Sequence, residues 1–246
     1  MNVHAGINWK ELGHVGLYTV PMAALILRED ATHVRAWING AQHSGAPPII
    51  HRQLPLINGQ TVLGFLDLIE ARFIKHFRDL GLSPQSIRKF AEKLRARHRT
   101  DHPFATNKVF RTDGKTIFME IVETDEEKKI LNLLNDNFEM GDIIAASLFD
   151  SILYADDLAF RWHPSPSHPH VVLDPKFAFG RPVVEGAWVP TDTLDAAYSA
   201  EGNEDAVADD FEIDKSLVAE AVAYEQSLKV EARIENTVGC STVRLT

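Results

Sequence analysis

The fold is decided at residues 16–40, which read GLYTVPMAALILREDATHVRAWING. After Thr19, apolar residues recur at the spacing of one helix face, which predicts a short helix. The charged break Arg28-Glu29-Asp30 interrupts this pattern, and a second helical periodicity runs from there to Gly40. Thr19 and Asp30 cap helix N-termini well, so we expect one helix to begin after each. Two short helices with a tight break between them are typical of a helix-turn-helix.

The second of these helices predicts a DNA-contacting surface. Its polar positions hold residue types that reach base edges and phosphates from the major groove. Thr32 and His33 lie near its N-terminus, the end that recognition helices present to bases. An ordinary helical hairpin with a solvated polar face explains the local pattern equally well, so both interpretations stay open at this point. The predicted contacts on this helix are Thr32, His33, Arg35 and Asn39.

A basic stretch downstream favours the DNA-binding interpretation. Residues 41–59 are rich in turn-forming residues and predict a loop with short extended pieces, where a wing fits. Amphipathic helices are predicted over residues 61–80 and 84–97. Ser83-Pro84 supplies the cap and the first residue of the second helix, whose buried residues we expect to be Ile87, Phe90, Ala91 and Leu94. Residues 72–99 contain nine Lys and Arg against two acidic residues, and phosphate neutralisation supplies most non-specific DNA affinity. Further predicted DNA contacts are His43 and Arg52 in the candidate wing, and Arg88, Lys89 and Lys93 on the second amphipathic helix.

Charge is divided unevenly along the chain. The net charge is −10, which taken alone argues against a nucleic-acid-binding protein. Residues 1–118 carry 16 Lys and Arg against 9 Asp and Glu, whereas residues 119–246 carry 9 against 26. Such asymmetry predicts a nucleic-acid-binding half and an acidic half with a different partner.

The second half of the chain predicts small β units followed by helices. We expect a hairpin turning at Asp113-Gly114, a charged helix over residues 125–138, and two short strands joined at Asp156-Asp157. The predicted fold class is mainly α with minor antiparallel β. Its parts are a winged helix-turn-helix N-terminal domain (residues 1–102), a small α+β middle region (103–162), a proline-rich linker (163–170), a small acidic trihelical C-terminal domain (171–228) and a C-terminal tail (229–246).

The sequence predicts neither an enzyme nor a cofactor or metal. A single cysteine, Cys240, excludes an intramolecular disulfide and a zinc site built on paired thiolates. A nucleic-acid enzyme that uses Asp156, Asp157 and His163 around a metal is a further alternative, but the alternating prolines there fix no coordination geometry. The chain begins without a signal-peptide pattern, and its longest apolar run is too short to span a bilayer. We therefore expect a cytoplasmic protein without membrane contact.

Residues 18–94 resemble the DNA-binding domain of MerR-type regulators. The resemblance rests on YTVPMAALILREDATHVRAWI and on LGFLDLIEARFIKHFRDLGLSPQSIRKF, which contains a glycine–hydrophobic–serine junction at Gly81-Leu82-Ser83. It implies a helix-turn-helix and a wing followed by a helix pair. The chain departs from the family pattern at Arg28-Glu29-Asp30, where a smaller turn is common, and at Trp37, where tyrosine is frequent.

Residues 174–225 resemble a small trihelical domain found in antitoxins. Its marks here include Asp174-Pro175, Gly180-Arg181-Pro182 and Val189-Pro190-Thr191, and the RWHP at residues 161–164 resembles the lead-in to that domain in VapB-type antitoxins. Together the two resemblances imply a transcriptional autorepressor that binds operator DNA and neutralises a PIN-like, metal-dependent ribonuclease toxin. They also imply a homodimer or a higher toxin–antitoxin assembly.

The acidic helices predict the toxin-facing surface. Residues 191–225 contain eleven Asp and Glu and one Lys, which suits a basic RNA-binding groove on a ribonuclease. The alternative function is a small-molecule-responsive MerR-like transcription regulator whose acidic half senses a ligand. The predicted partner-binding residues are Asp205, Asp209 and Asp210 on the helices, and Arg233 and Arg244 in the tail.

Overall fold

The structure, a computed structural model, describes residues 15–42, 44–107 and 150–240, by backbone alone from residue 230 onward. Within these ranges the chain is mainly helical with small antiparallel β pairs, as predicted. The helices are α1 (Val20–Leu27), α2 (Ala31–Asn39), α3 (Phe65–Asp79), α4 (Pro84–His98), α5 (Thr191–Glu201), α6 (Glu204–Phe211) and α7 (Lys215–Cys240). The strands are β1 (Tyr18–Thr19), β2 (Val62–Leu63), β3 (Ile152–Ala155), β4 (Leu158–Trp162), β5 (Val171–Val172) and β6 (Val183–Val184).

Helices α1 and α2 begin at the two caps that the sequence indicated. Thr19 Oγ1 accepts a hydrogen bond from the Met22 backbone N–H at 3.3 Å, and the Asp30 carboxylate accepts one from the Thr32 N–H at 2.6 Å. Between the helices, Arg28 takes a left-handed conformation at φ 55° and ends α1. The predicted pair of short helices with a tight break is confirmed.

The loop after α2 differs from the expected wing. Among its described residues there is no two-stranded hairpin, only single antiparallel bridges, Ala41–Ala46 and Ile57–Gln60. The backbone N–H groups of Ile49 and Ile50 both donate to the Trp37 carbonyl, at 2.8 and 3.0 Å. These bonds fold the loop back onto the end of α2, where the helix leaves this carbonyl without an intrahelical partner.

Helix α3 begins at Phe65 and not at Thr61 as predicted. The intervening Val62–Leu63 forms strand β2, which pairs antiparallel with β1 and therefore cannot be helical. Gly64 then serves as the N-cap, and its backbone N–H donates to Asp67 Oδ2 at 2.8 Å. Periodicity alone cannot detect this change, because the apolar residues of β2 continue the helical stripe of α3.

Helices α3 and α4 pack around an aromatic cluster. Ser83 Oγ caps α4 by accepting from the Ser86 N–H at 3.1 Å, as the Ser-Pro pair predicted. The rings of Phe77, Phe90 and Phe104 lie with their centroids 5.5 to 5.8 Å apart, in edge-on or tilted pairs that favour aromatic contact. The α4 residues expected to be buried (Ile87, Phe90, Ala91 and Leu94) are all buried.

The hairpin of β3 and β4 turns at Asp156-Asp157, as predicted. Both residues have positive φ, 48° and 67°, which a two-residue hairpin turn requires and which Asp tolerates better than most side chains. Trp162 at the end of β4 then exchanges two backbone hydrogen bonds with Leu173, at 3.0 and 2.8 Å. The hairpin predicted at Asp113-Gly114 and the helix predicted over residues 125–138 lie outside the described residues.

Residues 163–170, predicted as a proline-rich linker, form a closed loop whose two ends meet at the Trp162–Leu173 bridge. Ser165 is buried, and its Oγ lies 2.9 Å from His168 Nδ1. His170 contacts Glu220 of α7 twice, through its backbone N–H at 2.7 Å and its ring at 2.8 Å. The segment therefore packs against helix α7 and is not an extended linker.

Three helices follow, as predicted for the acidic domain, around a core that includes Leu194, Val207 and Val218. The third helix is longer than expected: α7 continues through the residues predicted as a tail and ends at Cys240. Among the described helices, none combines the length and apolar character that crossing a bilayer requires.

One buried contact joins the beginning of α1 to the acidic half. Tyr18 is fully buried, and its hydroxyl donates to the Gly180 carbonyl at 2.7 Å. The Leu17 N–H donates to the Phe179 carbonyl at 2.9 Å beside it. Gly180 has φ +84°, and a Cβ added there would lie 2.3 Å from the Tyr18 oxygen, so only glycine fits.

Candidate DNA-binding interface and acidic surface

The polar face of α2 is exposed. Thr32, His33 and Arg35 all face solvent, while Val34 and Trp37 are buried beneath them. The first turn is fixed from two sides: Asp30 caps it, and His33 Nδ1 lies 2.8 Å from Glu29 Oε1. The His33 ring also lies parallel to that of Trp37, with centroids 6.5 Å apart. The cap and the Glu29 contact thus orient the first turn of α2.

Asn39, the last predicted contact on α2, is exposed but already engaged. Its amide Nδ2 donates to Thr61 Oγ1 at 2.9 Å, and its Oδ1 accepts from the same hydroxyl at 3.2 Å. Asn39 therefore ties the end of α2 to the residue before β2.

The other predicted DNA contacts fall into two groups. Arg52 is exposed in the loop after α2 and Lys93 is exposed on α4, while Lys89 is half-buried. Arg88 instead donates from Nε to the Pro47 carbonyl at 2.9 Å, so it supports the loop from α4. His43 lies outside the described residues.

Beneath the loop lies a polar cluster that the sequence analysis missed. Asp67 and Glu70 of α3 are fully buried, although the helix pattern places such carboxylates on its solvent side. Asp67 accepts the Gln53 N–H at 3.1 Å, and Arg95 donates to Glu70 Oε2 at 3.5 Å and to the Ile49 carbonyl at 2.6 Å. The cluster therefore joins α3 and α4 to the loop that follows α2. Helical periodicity places both carboxylates outside the apolar stripe, so the sequence pattern carried no signal for their burial.

The buried cluster shifts the pKa values of its members. Burial raises the pKa of Asp67 to about 6, against the lowering effect of the Gly64 and Gln53 N–H groups. Burial also tends to lower the pKa of His102, but the neighbouring carboxylates of Glu70 and Asp67 outweigh this, so the pKa of His102 is raised. His102 Nδ1 lies 3.7 Å from both carboxylates. Protons are therefore retained here at pH values where exposed carboxylates have lost theirs.

The carboxylates of the acidic helices include some that contact other segments of the domain and an outward-facing set on α6. Arg181 pairs with Asp192 at 2.8 Å, Lys229 pairs with Asp195, and Thr191 donates to Glu225 at 2.5 Å. These groups stabilise the domain itself. The outward-facing set is the α6 surface, which consists of Asp205, Asp209, Asp210 and Glu212, all exposed.

Of the predicted partner-binding residues, Asp205 already has an internal partner. Its Oδ2 lies 2.9 Å from Lys215 Nζ, with both side chains exposed. Asp209 and Asp210 are exposed on the same helix. Arg233 lies within α7, where the backbone alone is described, and Arg244 lies outside the described residues.

The residues of the metal-enzyme alternative serve local structure. Asp156 and Asp157 form the hairpin turn, and the His163 ring lies 3.1 Å from the Pro169 carbonyl. Within residues 15–42, 44–107 and 150–240, no group of three or more His, Cys, Asp or Glu could hold a metal ion.

A cleft of about 480 Å³ opens where α1, α3, α7 and residues 163–168 meet. Arg28, Arg72 and Lys75 line it, together with Trp162 and His76. Arg28 is the left-handed residue between α1 and α2, so the cleft adjoins the break between these helices.

Comparison with known proteins shows a similarity in fold. No protein-family model matches the chain, and no curated protein matches it either. The X-ray crystal structure of Rv2018 from Mycobacterium tuberculosis superposes with a TM-score of 0.64 at 25% sequence identity, over 83% of this chain and 96% of that one. This similarity is one of fold, and it assigns no function to the chain.

Proposed function

We propose that this chain is the antitoxin of a type II toxin–antitoxin pair, which binds its own promoter and neutralises a PIN-like ribonuclease toxin. The observation that carries the DNA-binding part is the exposed, pre-ordered start of α2. Thr32 and His33 lie there beside the Asp30 cap, in the half of the chain that has an excess of Lys and Arg. In a helix-turn-helix, this is the end of the second helix that enters the major groove.

The contact with Glu29 restricts what His33 can recognise. An ionised carboxylate only accepts hydrogen bonds, so with Glu29 ionised we infer that His33 Nδ1, 2.8 Å from Glu29 Oε1, carries the proton. In a neutral ring, Nε2 is then an acceptor. Acceptors in the major groove pair with the exocyclic amino groups of adenine or cytosine. We therefore expect His33 to favour these two bases over guanine and thymine.

The first test compares specific with non-specific DNA binding. Thr32→Ala and His33→Ala should each weaken binding to the protein's own promoter by about tenfold or more, because a good base contact is worth about 1–3 kcal/mol. Binding to random DNA should change little. Fluorescence anisotropy with both DNAs at fixed salt measures the difference.

The matched control for this test is Thr193→Ala, which makes the same chemical change on an exposed position of α5. It should leave both affinities unchanged. Equal losses on promoter and random DNA for Thr32→Ala and His33→Ala would contradict base readout by α2.

The antitoxin part rests on the α6 surface. The cations of the acidic domain reach Asp192, Asp195 and Asp205, while Asp209 and Asp210 remain exposed to solvent. A ribonuclease needs a basic groove to hold RNA phosphates, and opposite charges accelerate and orient such an encounter. An acidic helix in that groove would exclude RNA without touching the metal.

The second test uses the product of the adjacent gene as the toxin. Asp209→Asn with Asp210→Asn should weaken co-purification of the pair and restore toxicity in cells, while promoter binding stays intact. The control is Asp156→Asn with Asp157→Asn, which removes the same charge at a turn whose left-handed geometry Asn accepts. If both double variants silenced the toxin equally well, the toxin would have to bind elsewhere on the chain.

A second candidate function is a ligand-responsive transcription regulator. The observation that favours it is the cleft beside Arg28, because an occupant there would contact the break between α1 and α2 directly. A promoter affinity that changed with a metabolite, in the absence of any protein partner, would favour this candidate over the antitoxin.

A further inference from the structure

The buried polar cluster holds the loop after α2 at both ends of a short stretch. At one end, Arg95 of α4 donates from its guanidinium to the Ile49 carbonyl at 2.6 Å. At the other end, the Gln53 backbone N–H donates to the Asp67 carboxylate, with both oxygens at 3.1 Å. The Gln53 side chain adds a further bond, in which its Oε1 accepts the Leu66 N–H at 2.8 Å. The position of the loop therefore depends on two charged side chains that lie beneath it.

The charges of the cluster balance when His102 is protonated. Asp67 and Glu70 are fully buried, while the Arg95 side chain is 9% exposed and that of His102 is 12% exposed. With both carboxylates ionised, Arg95 supplies one positive charge against two negative charges. His102 Nδ1 lies 3.7 Å from each carboxylate, so a protonated ring supplies the second positive charge. A neutral ring leaves one buried negative charge in excess, which is costly in a place that water does not reach.

Two further titratable groups near His102 are exposed. Asp101 precedes it in the chain, and His51 of the loop lies 3.5 Å from the Asp101 carboxylate with both side chains open to solvent. Water and salt weaken ion pairs of this kind, so the state of His51 contributes little to the balance inside the cluster.

Burial and charge act on the pKa of His102 in opposite directions. Burial lowers the pKa, but the carboxylates of Glu70 and Asp67 outweigh this effect and raise it above the ordinary imidazole value of about 6.5. The protonated ring therefore contributes its full stabilisation below about pH 6.5, and this contribution is lost as the pH rises through the raised pKa.

We propose that this cluster is a proton-sensitive anchor for the loop after α2. It holds the loop while His102 carries a proton and loosens it once that proton is lost, because opening lets water reach the carboxylate that then lacks a counter-charge. The bond from the Gln53 N–H to Asp67 opens with the loop. The anchor acts without DNA, so its failure would leave the proposed function intact. Under that function, the anchor controls how Arg52, exposed in the same loop, is presented to DNA.

The test measures hydrogen exchange of single backbone amides in the full-length protein by ¹⁵N–¹H NMR between pH 6.5 and 9. This range lies above the pKa of Asp67, about 6, so Asp67 stays ionised throughout. Each rate is compared with the intrinsic rate at the same pH, which gives the protection factor. The protection of the Gln53 amide should fall about tenfold or more, as expected when a charge-assisted contact is lost, with the same midpoint as the titration of the His102 ring. The Val184 amide, bonded to the Val189 carbonyl at 2.9 Å in the acidic half, should stay protected.

Two variants with the same chemical change separate the two neighbouring imidazoles. His102→Gln cannot take up the proton, so its Gln53 amide should be weakly protected throughout this range and show no pH dependence. His51→Gln replaces the exposed imidazole and should keep the wild-type profile. Protection of the Val184 amide shows that each variant is folded, and if His102→Gln does not fold, the wild-type midpoints decide alone. The proposal is overturned if the Gln53 and His102 midpoints differ, if His102→Gln keeps the wild-type profile, or if His51→Gln loses it.

Discussion

Gly180→Ala should destabilise the protein strongly, because two costs fall on one position. The residue has φ +84°, and a left-handed backbone costs a residue with a Cβ about 1–2 kcal/mol. The new Cβ would also lie 2.3 Å from the Tyr18 hydroxyl oxygen, and forcing extra volume into a packed site costs about 1–3 kcal/mol more. We therefore expect a loss of about 2–5 kcal/mol in the free energy of unfolding.

The two costs can be separated with variants that the chain itself offers. Gly186 has φ +90° but nothing within 4 Å of an added Cβ, so Gly186→Ala measures the backbone cost alone. Tyr18→Phe removes the hydroxyl and leaves the buried Gly180 carbonyl without its 2.7 Å bond, at a cost of about 1–3 kcal/mol. The Tyr18→Phe/Gly180→Ala double variant lacks the Tyr18 oxygen with which the new Cβ would clash. The hydrogen bond from Tyr18 to the Gly180 carbonyl is also already absent in it, so the second substitution cannot break that bond again.

The two double-mutant cycles are read by urea denaturation of the wild type and the five variants at one pH. Tyr18→Phe/Gly180→Ala should be more stable than the sum of the single losses by about 1–2 kcal/mol, whereas Tyr18→Phe/Gly186→Ala should be additive within about 0.5 kcal/mol. The contact between Tyr18 and Gly180 would be refuted by an additive first cycle, or by a Gly180→Ala variant as stable as Gly186→Ala.

Two further predictions concern the buried cluster beneath the loop. Asp67 has a raised pKa of about 6, so its protonated form stabilises the fold at low pH, and this contribution is lost as the pH rises from about 4 to 6. The stability of Asp67→Asn relative to the wild type should therefore rise by up to about 3 kcal/mol across that window, and urea titrations that show a constant difference would contradict the pKa shift. Arg95→Met should cost about 3–5 kcal/mol because it removes the guanidinium that pairs with the buried Glu70 carboxylate. The exposed control Arg35→Met should change the melting temperature little, and an equal loss in both variants would rule out the buried pair as the cause.

The features that the sequence predicted correctly depend on neighbouring residues. The caps at Thr19, Asp30 and Ser83 need only the next helical turn, and the Asp156-Asp157 turn needs only the two strands that it joins. The exposed polar face of α2 follows from helical periodicity in the same way. Short-range preferences of this kind act wherever the segment lies in the fold, so they can be read from the chain alone.

The remaining features depend on contacts between distant segments. Helix α3 begins at Phe65, later than predicted, because β2 pairs with β1, which lies more than forty residues earlier in the chain. Arg88 supports the loop at Pro47 in place of facing solvent, and Asp67 is buried because that loop covers it. Tyr18 and Gly180 are separated by 162 residues, yet one hydroxyl bond joins them. Periodicity identifies which face of an element is apolar, but only the tertiary structure decides what covers that face and which polar groups are buried with it.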